Sequence, residues 1–240
     1  MMKSLLLAGA MGFAVGMVSA NPYTEAVDTA RVDDEALQKA RRQLEHPPVE
    51  PRKDPLFVPP FHQRQAPEEV PSLLCHRCHD RAPHRRSVRK RAFLNMHGNH
   101  VACETCHWRP KGMLLDYGRV RVPGMQTSAG LIAPLVEGKP VMTLAGVPWA
   151  RRLARDWEQA DKEARAEIKA RLHAPLEEKG PECMACHDEE KGMLDWRRLG
   201  YQAGRIRELQ ENPIARFLQR TEPESAQDPV VRIELRDLLE

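Results

Sequence analysis

The chain has few aromatic residues and little apolar material for its length. Phe, Trp and Tyr make up 5% of its 240 residues, and 41% of the residues are hydrophobic against 30% that are charged. The mean hydropathy is -0.58. A large core filled by side chains, as in a big enzyme, is therefore not expected. Something besides side-chain burial has to help organise the fold.

No charge of one sign dominates the chain, and no repetitive tract runs through it. Lys and Arg number 37, and Asp and Glu number 34. The sequence contains no repeated heptads, no collagen triplets and no long low-complexity segment. These absences argue against a wholly disordered chain and against a nucleic-acid-binding protein. We therefore expect no nucleic-acid partner.

Long apolar runs are also lacking after the N-terminus, where no segment approaches 18 apolar residues. Residues 1–20 combine Lys3, an apolar run over 5–18 and the small residues of 18–20. This pattern predicts a cleaved signal peptide. The alternative, a membrane anchor, would need more than the roughly 14 apolar residues present. We predict an exported protein, periplasmic or extracellular, with a formal charge of +2 and no transmembrane segment after cleavage.

Cysteine is scarce, but its arrangement is highly ordered. The six cysteines form three C-x-x-C-H motifs, namely Cys75-His76-Arg77-Cys78-His79, Cys103-Glu104-Thr105-Cys106-His107 and Cys183-Met184-Ala185-Cys186-His187. Export to an oxidising compartment would by default predict three disulfides. The residue frequencies, however, predict only on the order of 0.01 chance occurrences of this pattern. The spacing therefore needs a chemical explanation.

The C-x-x-C-H motif is the attachment sequence of c-type haem, in which two thiols bond to one porphyrin and the adjacent imidazole binds its iron. Zinc explains the motifs less well, because three pairs leave one over and zinc gives no reason for a His after every second Cys. A thioredoxin-like redox pair would need a βαβ context, which is absent. We therefore predict three covalently bound haems c, with proximal ligands His79, His107 and His187.

With these motifs the sequence resembles the multihaem c-type cytochromes, a superfamily of exported electron carriers. The resemblance covers the 15 motif residues and their flanks. Residues 92–103, which contain His97 and His100, are similar to a recurring arrangement with histidines shortly before a motif. The resemblance implies a second, distal His on each iron and closely stacked haems. Three haems on so long a chain depart from the compact tetrahaem cytochromes, so much of the chain must do something else.

Seven histidines remain as distal ligands for three irons. His97 has the most apolar setting, His84 follows motif one, and His173 precedes motif three. His100 lies one helical turn from His97, so both can be ligands only of different irons. His62 is a further candidate, whereas we expect His46 and His76 to be solvated. The choice of three among His84, His97, His100, His173 and His62 stays open at this point.

Motifs two and three share a local repeat. Lys111-Gly112-Met113-Leu114 recurs as Lys191-Gly192-Met193-Leu194 at the same distance from its motif. The glycine predicts the end of a short helix, and the Met-Leu pair either packs on porphyrin or has no redox role. Met113 and Met193 are poor axial ligands, because each follows its own proximal His too closely.

The sequence predicts a mainly α fold with much irregular structure organised around haems and a small β-hairpin near 131–144. The helices expected are 33–44 and a long one over 148–172, with helical pieces interrupted by prolines after 199. The predicted organisation is a signal peptide (1–20), an N-terminal helix with a Pro-rich arm (21–72), a two-haem unit (73–126), the hairpin plus long helix (127–180), and a third-haem unit with a C-terminal tail (181–240).

Electron transfer is the function that these features favour. The protein would carry electrons through closely spaced, bis-His low-spin haems, in a respiratory complex or an extracellular cytochrome assembly, with redox proteins, other cytochromes or copies of itself as partners. The basic run 84–91 would either neutralise haem propionates or dock an acidic partner. The alternative is a haem redox enzyme, or its electron-transfer subunit, with one open iron site. No catalytic residue is predicted, and an enzyme is the less favoured reading.

Overall fold

The computed structural model describes residues 21–46, 73–79, 82–84, 90–123 and 130–220. The predicted signal peptide, the Pro-rich arm with His62, most of the basic run and the tail after residue 220 lie outside these residues. About half of the described residues are helical, and a small antiparallel sheet accompanies them. This bears out the coarse prediction of a mainly α chain with a small β element.

The helices are short and are joined by irregular segments. In chain order they are α1 (Pro22–Thr29), α2 (Asp34–Glu45), a 3-10 helix (Cys75–Arg77), α3 (Arg91–His97), α4 (Cys103–His107), α5 (Pro148–Gln159), α6 (Lys162–His173), α7 (Met184–His187), α8 (Ala203–Gln210) and α9 (Pro213–Arg220). The strands are β1 (Asp116–Val120), β2 (Leu131–Val136) and β3 (Lys139–Pro140).

The sheet has the order β1-β2-β3 with antiparallel pairing throughout. The hairpin predicted near 131–144 is present as β2 and β3, and Glu137 and Gly138 form its turn with φ angles of 51° and 75°. Strand β1 was not predicted, because Asp116 to Val120 lacks a clear alternation of apolar residues. Strand β2 is the most buried segment, with Leu131 and Ala133 fully inaccessible, and it anchors the core.

The N-terminal helices pack against α6. Helix α2 confirms the prediction for 33–44, with Asp33 accepting a hydrogen bond from the Ala36 amide at 2.8 Å as its N-cap. It is not simply solvated, since Ala40 is buried against Ala166 and Ala170 of α6. Helix α1 was missed, although an N-capping Asn21 followed by proline is a start signal.

The prediction of one long helix over 148–172 is wrong. The segment forms α5 and α6, separated at Ala160 and Asp161. Asp161 is the reason for the break, because its carboxylate accepts a hydrogen bond from the Ala164 amide at 2.9 Å and so caps a new helix. The break lets α6 change direction and end at His173.

The C-terminal part forms a second apolar cluster. Leu194, Trp196 and Leu199 pack against Tyr117 and Ile132 of the sheet. Helix α9 begins at Pro213, as the prediction of a helical tail broken by prolines requires. Within the described ranges, no helix is long and apolar enough to cross a membrane.

Candidate haem-binding sites

Each C-x-x-C-H motif folds as a short helical turn that ends at or next to its His. Motif one forms the 3-10 helix, motif two forms α4, and motif three forms α7. The helices α4 and α7 therefore end at His107 and His187, and not at Gly112 and Gly192, which corrects the predicted role of these glycines. All six cysteine side chains, which lie within the described residues, are thiols and not disulfides.

The structure places a second imidazole beside every motif histidine. The ring centres of His79 and His173 are 5.9 Å apart, those of His107 and His84 are 6.2 Å apart, and those of His187 and His97 are 6.1 Å apart. The angles between the ring planes are 70°, 14° and 80° in the same order. The three partners are three of the distal candidates taken from the sequence.

This spacing is the one that two imidazoles adopt on opposite sides of one metal ion. A metal–imidazole bond is about 2 Å, and the nitrogen lies about 1 Å from its ring centre, so two trans imidazoles have ring centres about 6 Å apart. The distances of 5.9, 6.2 and 6.1 Å all match that value. The residues present therefore fit three axially ligated haem irons.

Hydrogen bonds at Nδ1 leave the other ring nitrogen of four of these histidines free of the proton. Backbone carbonyls lie opposite the Nδ1 atoms of four rings: Phe93 for His97 (2.7 Å), Glu177 for His107 (2.8 Å), Lys169 for His173 (2.7 Å) and Leu209 for His187 (2.7 Å). Because a carbonyl oxygen can only accept a hydrogen bond, Nδ1 carries the proton and Nε2 keeps its lone pair. This is the tautomer that a metal-binding imidazole needs.

Desolvation of the ring favours the neutral form of three of these imidazoles, although the residues His79 and His173 are exposed as a whole. The surrounding protein lowers the pKa of His79, His173 and His187 below the usual value for histidine. The like charge of His79 lowers the pKa of His173 further. Since only the neutral ring can bind a metal, these shifts favour the ligating form.

Motif one is held by the segment after β3. The Leu74 amide donates to the Thr143 carbonyl at 3.0 Å, and Leu73 forms a bridge with Leu144. On the other side, the Tyr23 hydroxyl of α1 donates to the Leu172 carbonyl at 3.0 Å, directly before His173. The two members of this histidine pair are thus fixed by different elements.

Motif two packs on the buried strand β2. The Ala102 amide and the Thr105 hydroxyl both donate to the Ile132 carbonyl, at 2.8 and 2.9 Å. The chain after α6 is attached to the end of α4, because the Glu177 amide donates to the His107 carbonyl at 2.7 Å. His107 therefore has a fixed position between the sheet and the segment that leads to motif three.

Motif three is held by the C-terminal helices. The Met184 amide donates to Gln219 of α9 at 2.8 Å, and the Leu209 carbonyl of α8 holds the His187 ring. The repeated tetrapeptides pack differently, since Leu194 is buried and Leu114 is fully exposed. The repeat in sequence is therefore not a repeat in packing.

The cysteines place motif two between the other two motifs. The Cys75 thiol shares a hydrogen bond with Cys103, which contributes to a raised pKa of Cys75 and a lowered pKa of Cys103. The pKa of Cys186 is raised to about 12, first by burial and then by the nearby Cys106. Motif two thus approaches motif one with its first cysteine and motif three with its second.

Sequence reasoning missed Glu104, the second residue of motif two. Its side chain is only 3% exposed, and its Oε1 accepts from the Thr143 amide at 3.2 Å and from the Cys75 thiol at 4.0 Å. Burial, followed by the nearby Cys103, raises the pKa of Glu104 to about 7. A glutamate at a variable position of the motif gives no sequence signal of such burial.

The other candidate histidines are placed apart from the three pairs. His100 is exposed, its backbone amide donates to the His97 carbonyl, and it belongs to none of the pairs, so its role as a ligand stays a prediction. His46 is exposed at the end of α2. His76 is half-buried, and in the described part of the chain its Nδ1 lacks a hydrogen-bond partner.

Protein side chains alone do not form a metal cage here. Among the described residues, no group of three or more His, Cys, Asp or Glu side chains could hold a metal ion. In comparisons with known proteins, no family model, curated protein or solved structure matches this chain.

Proposed function

We propose that the protein is an exported trihaem c-type cytochrome that transfers electrons through three bis-His haems. The assignment that we propose is His79 and His173 for haem one, His107 and His84 for haem two, and His187 and His97 for haem three. The observation that carries it is the common ring-centre spacing of 5.9 to 6.2 Å in all three motif pairs. The support lies in the pairing itself, because each of the three motif histidines has one further histidine as its partner at this spacing.

The chain would hold each porphyrin by its edge, through two cysteines, and on both of its faces, through two histidines. Each pair of cysteines would form two thioether bonds by addition to the two vinyl groups and so prevent loss of the porphyrin, and the two imidazoles of each pair would bind the iron. When bound, haem c supplies an iron that exchanges one electron between Fe(II) and Fe(III). If two histidines bind each iron, no coordination position would be left for a substrate, which favours a carrier over an enzyme.

The position of motif two supports a relay in the order one, two, three. The Cys103 and Cys75 thiols shift each other's pKa through a side-chain hydrogen bond, and Cys106 contributes to the raised pKa of Cys186 in motif three. Electrons would enter at one outer site and leave at the other, toward redox proteins or further cytochromes outside the cytoplasm. The histidine pairs also cross the predicted units, because His173 serves motif one and His97 serves motif three.

Stoichiometry is the first test. The intact mass of the exported protein should equal the chain without residues 1–20 plus three haems, and the pyridine haemochrome spectrum should give three haems per chain. A mass that shows two haems or none, with disulfides instead, would refute the proposal.

Ligation is the second test, by electron paramagnetic resonance on the oxidised protein and carbon monoxide binding to the reduced protein. Imidazoles with parallel planes donate to the same iron d orbital and split the orbitals strongly, whereas crossed planes donate to both and leave them nearly equal. The angles of 14°, 70° and 80° therefore predict one rhombic low-spin signal and two strongly anisotropic ones. A high-spin signal with stoichiometric carbon monoxide binding at one haem would instead indicate an enzyme.

A further inference from the structure

The imidazole of His84 is held differently from the other rings whose Nδ1 contacts are described. Its Nδ1 lies 3.1 Å from the side-chain oxygen of Asn95. In contrast, backbone carbonyls accept from the Nδ1 atoms of the other four rings, those of His97, His107, His173 and His187. A backbone carbonyl is present whatever the residue type. The orientation of His84 thus depends on the identity of one side chain.

Asn95 makes three contacts with the same residue. Its Oδ1 accepts from the His84 backbone amide at 3.0 Å and faces the His84 ring at 3.1 Å. Its Nδ2 donates to the His84 carbonyl at 3.0 Å. An asparagine amide supplies both the hydrogen-bond acceptor and the donor that this arrangement needs. His84 and Asn95 are both half-buried.

The location of Asn95 connects two histidine pairs. Asn95 and His97 lie two residues apart on α3, and the His97 ring pairs with His187. Asn95 holds His84, whose ring pairs with His107. One short helix therefore supplies a ligand candidate to motif three and supports a ligand candidate of motif two.

We propose that Asn95 is a positioning residue that fixes the distal ligand of haem two and sets the properties of that iron alone. This inference rests on the proposed function. Because Oδ1 accepts the Nδ1 proton, Nε2 of His84 keeps the lone pair that a metal needs, in the ring that pairs with His107. Partners of this kind typically change metal affinity 10- to 100-fold when they are removed.

The test compares Asn95→Ala and Asn95→Asp with the control Asn99→Ala in the full haem-loaded protein. Asn99 is an exposed residue that follows the same helix. Alanine removes the acceptor, and we expect the rhombic signal of the nearly parallel His84 and His107 pair to weaken. Carbon monoxide should then bind one haem per protein with roughly 10- to 100-fold higher apparent affinity.

Aspartate loses the Nδ2 donor to the His84 carbonyl. It keeps an acceptor for the Nδ1 proton and makes that acceptor anionic, which strengthens the hydrogen bond to the ring and increases the donation of the ring to iron. The rhombic signal should persist in Asn95→Asp, and the midpoint potential of one haem should fall while it rises in Asn95→Ala. The two anisotropic signals and their potentials should stay unchanged in both variants and in Asn99→Ala.

Two results would overturn the inference. One is an Asn95→Ala protein with all three signals and potentials of the wild type, and the other is an equal change at all three haems, which would indicate general loosening. Failure of the proposed function is distinguishable, because it would already be visible in the wild type as a missing haem or a high-spin iron.

Discussion

The imidazole rings of His79 and His173 lie 5.9 Å apart, although one belongs to motif one and the other ends helix α6. Their positions are fixed by separate parts of the molecule. Leu74 attaches motif one to the segment after β3, while α1 and α2 pack on α6. The geometry at one proposed iron therefore depends on how the N-terminal helices seat α6.

Replacing His173 by alanine should open one iron. We expect His173→Ala to retain three covalent haems, because all six cysteines are unchanged, but to show one high-spin signal and bind one carbon monoxide per protein when reduced. His46→Ala is the matched control, since His46 is an exposed histidine at the end of another helix. An entirely low-spin His173→Ala protein would exclude His173 as a ligand.

His97 and His100 provide a direct choice between two neighbouring histidines. His97 pairs with His187, whereas His100 is exposed and outside the pairs. His97→Ala should therefore create one high-spin, carbon monoxide-binding haem, and His100→Ala should leave all three irons low-spin. The opposite pattern would assign the role of distal ligand to His100.

Small residues between α2 and α6 should be critical for stability. Ala166 is fully buried, and with Ala40 and Ala170 it forms the contact between the two helices. Ala166→Leu overpacks this contact and should lower the free energy of unfolding by about 1–3 kcal/mol. Denaturant unfolding measures the effect, with Glu167→Ala on the exposed face of α6 as control. If Ala166→Leu and Glu167→Ala had the same free energy of unfolding, α2 and α6 would not pack closely.

The sequence was sufficient to predict those features that depend on local patterns. Helix α2 follows from its Asp33 cap, and the β2–β3 hairpin follows from apolar runs around Gly138. Each of these depends on residues close together in the chain. The roles of the motif cysteines and histidines in haem binding stay predictions.

The features that could not be predicted depend on contacts between distant segments. His84, His97 and His173 were candidates on local grounds, but nothing local says that His173 faces motif one while His97 faces motif three. Asn95 and Glu104 were missed because their roles arise only when His84 or Thr143 is brought beside them. Strand β1 was missed for a similar reason. Its residues show only a weak alternation of apolar and polar side chains, and the strand forms because it pairs with β2.

The last prediction concerns pH and the buried Glu104. Its pKa is raised from 4.5 to about 7, first by burial, so the folded protein retains a proton there that the unfolded chain releases at lower pH. Burial is the first cause and does not depend on the Cys103 thiol, which a thioether would replace in the haem-loaded protein. The folded state should therefore be most stable, relative to the unfolded chain, below about pH 4.5 and should lose this stability as the pH rises through the raised pKa of Glu104. Glu104→Gln keeps an oxygen that can accept from Thr143 but cannot ionise, so its free energy of unfolding should lack this decline. Denaturant unfolding of both haem-loaded proteins between pH 5 and pH 8 measures the difference, in which contributions shared by both proteins, including those of the histidines, cancel. Parallel pH profiles would show that Glu104 titrates normally and that the carboxylate is not confined between motifs one and two.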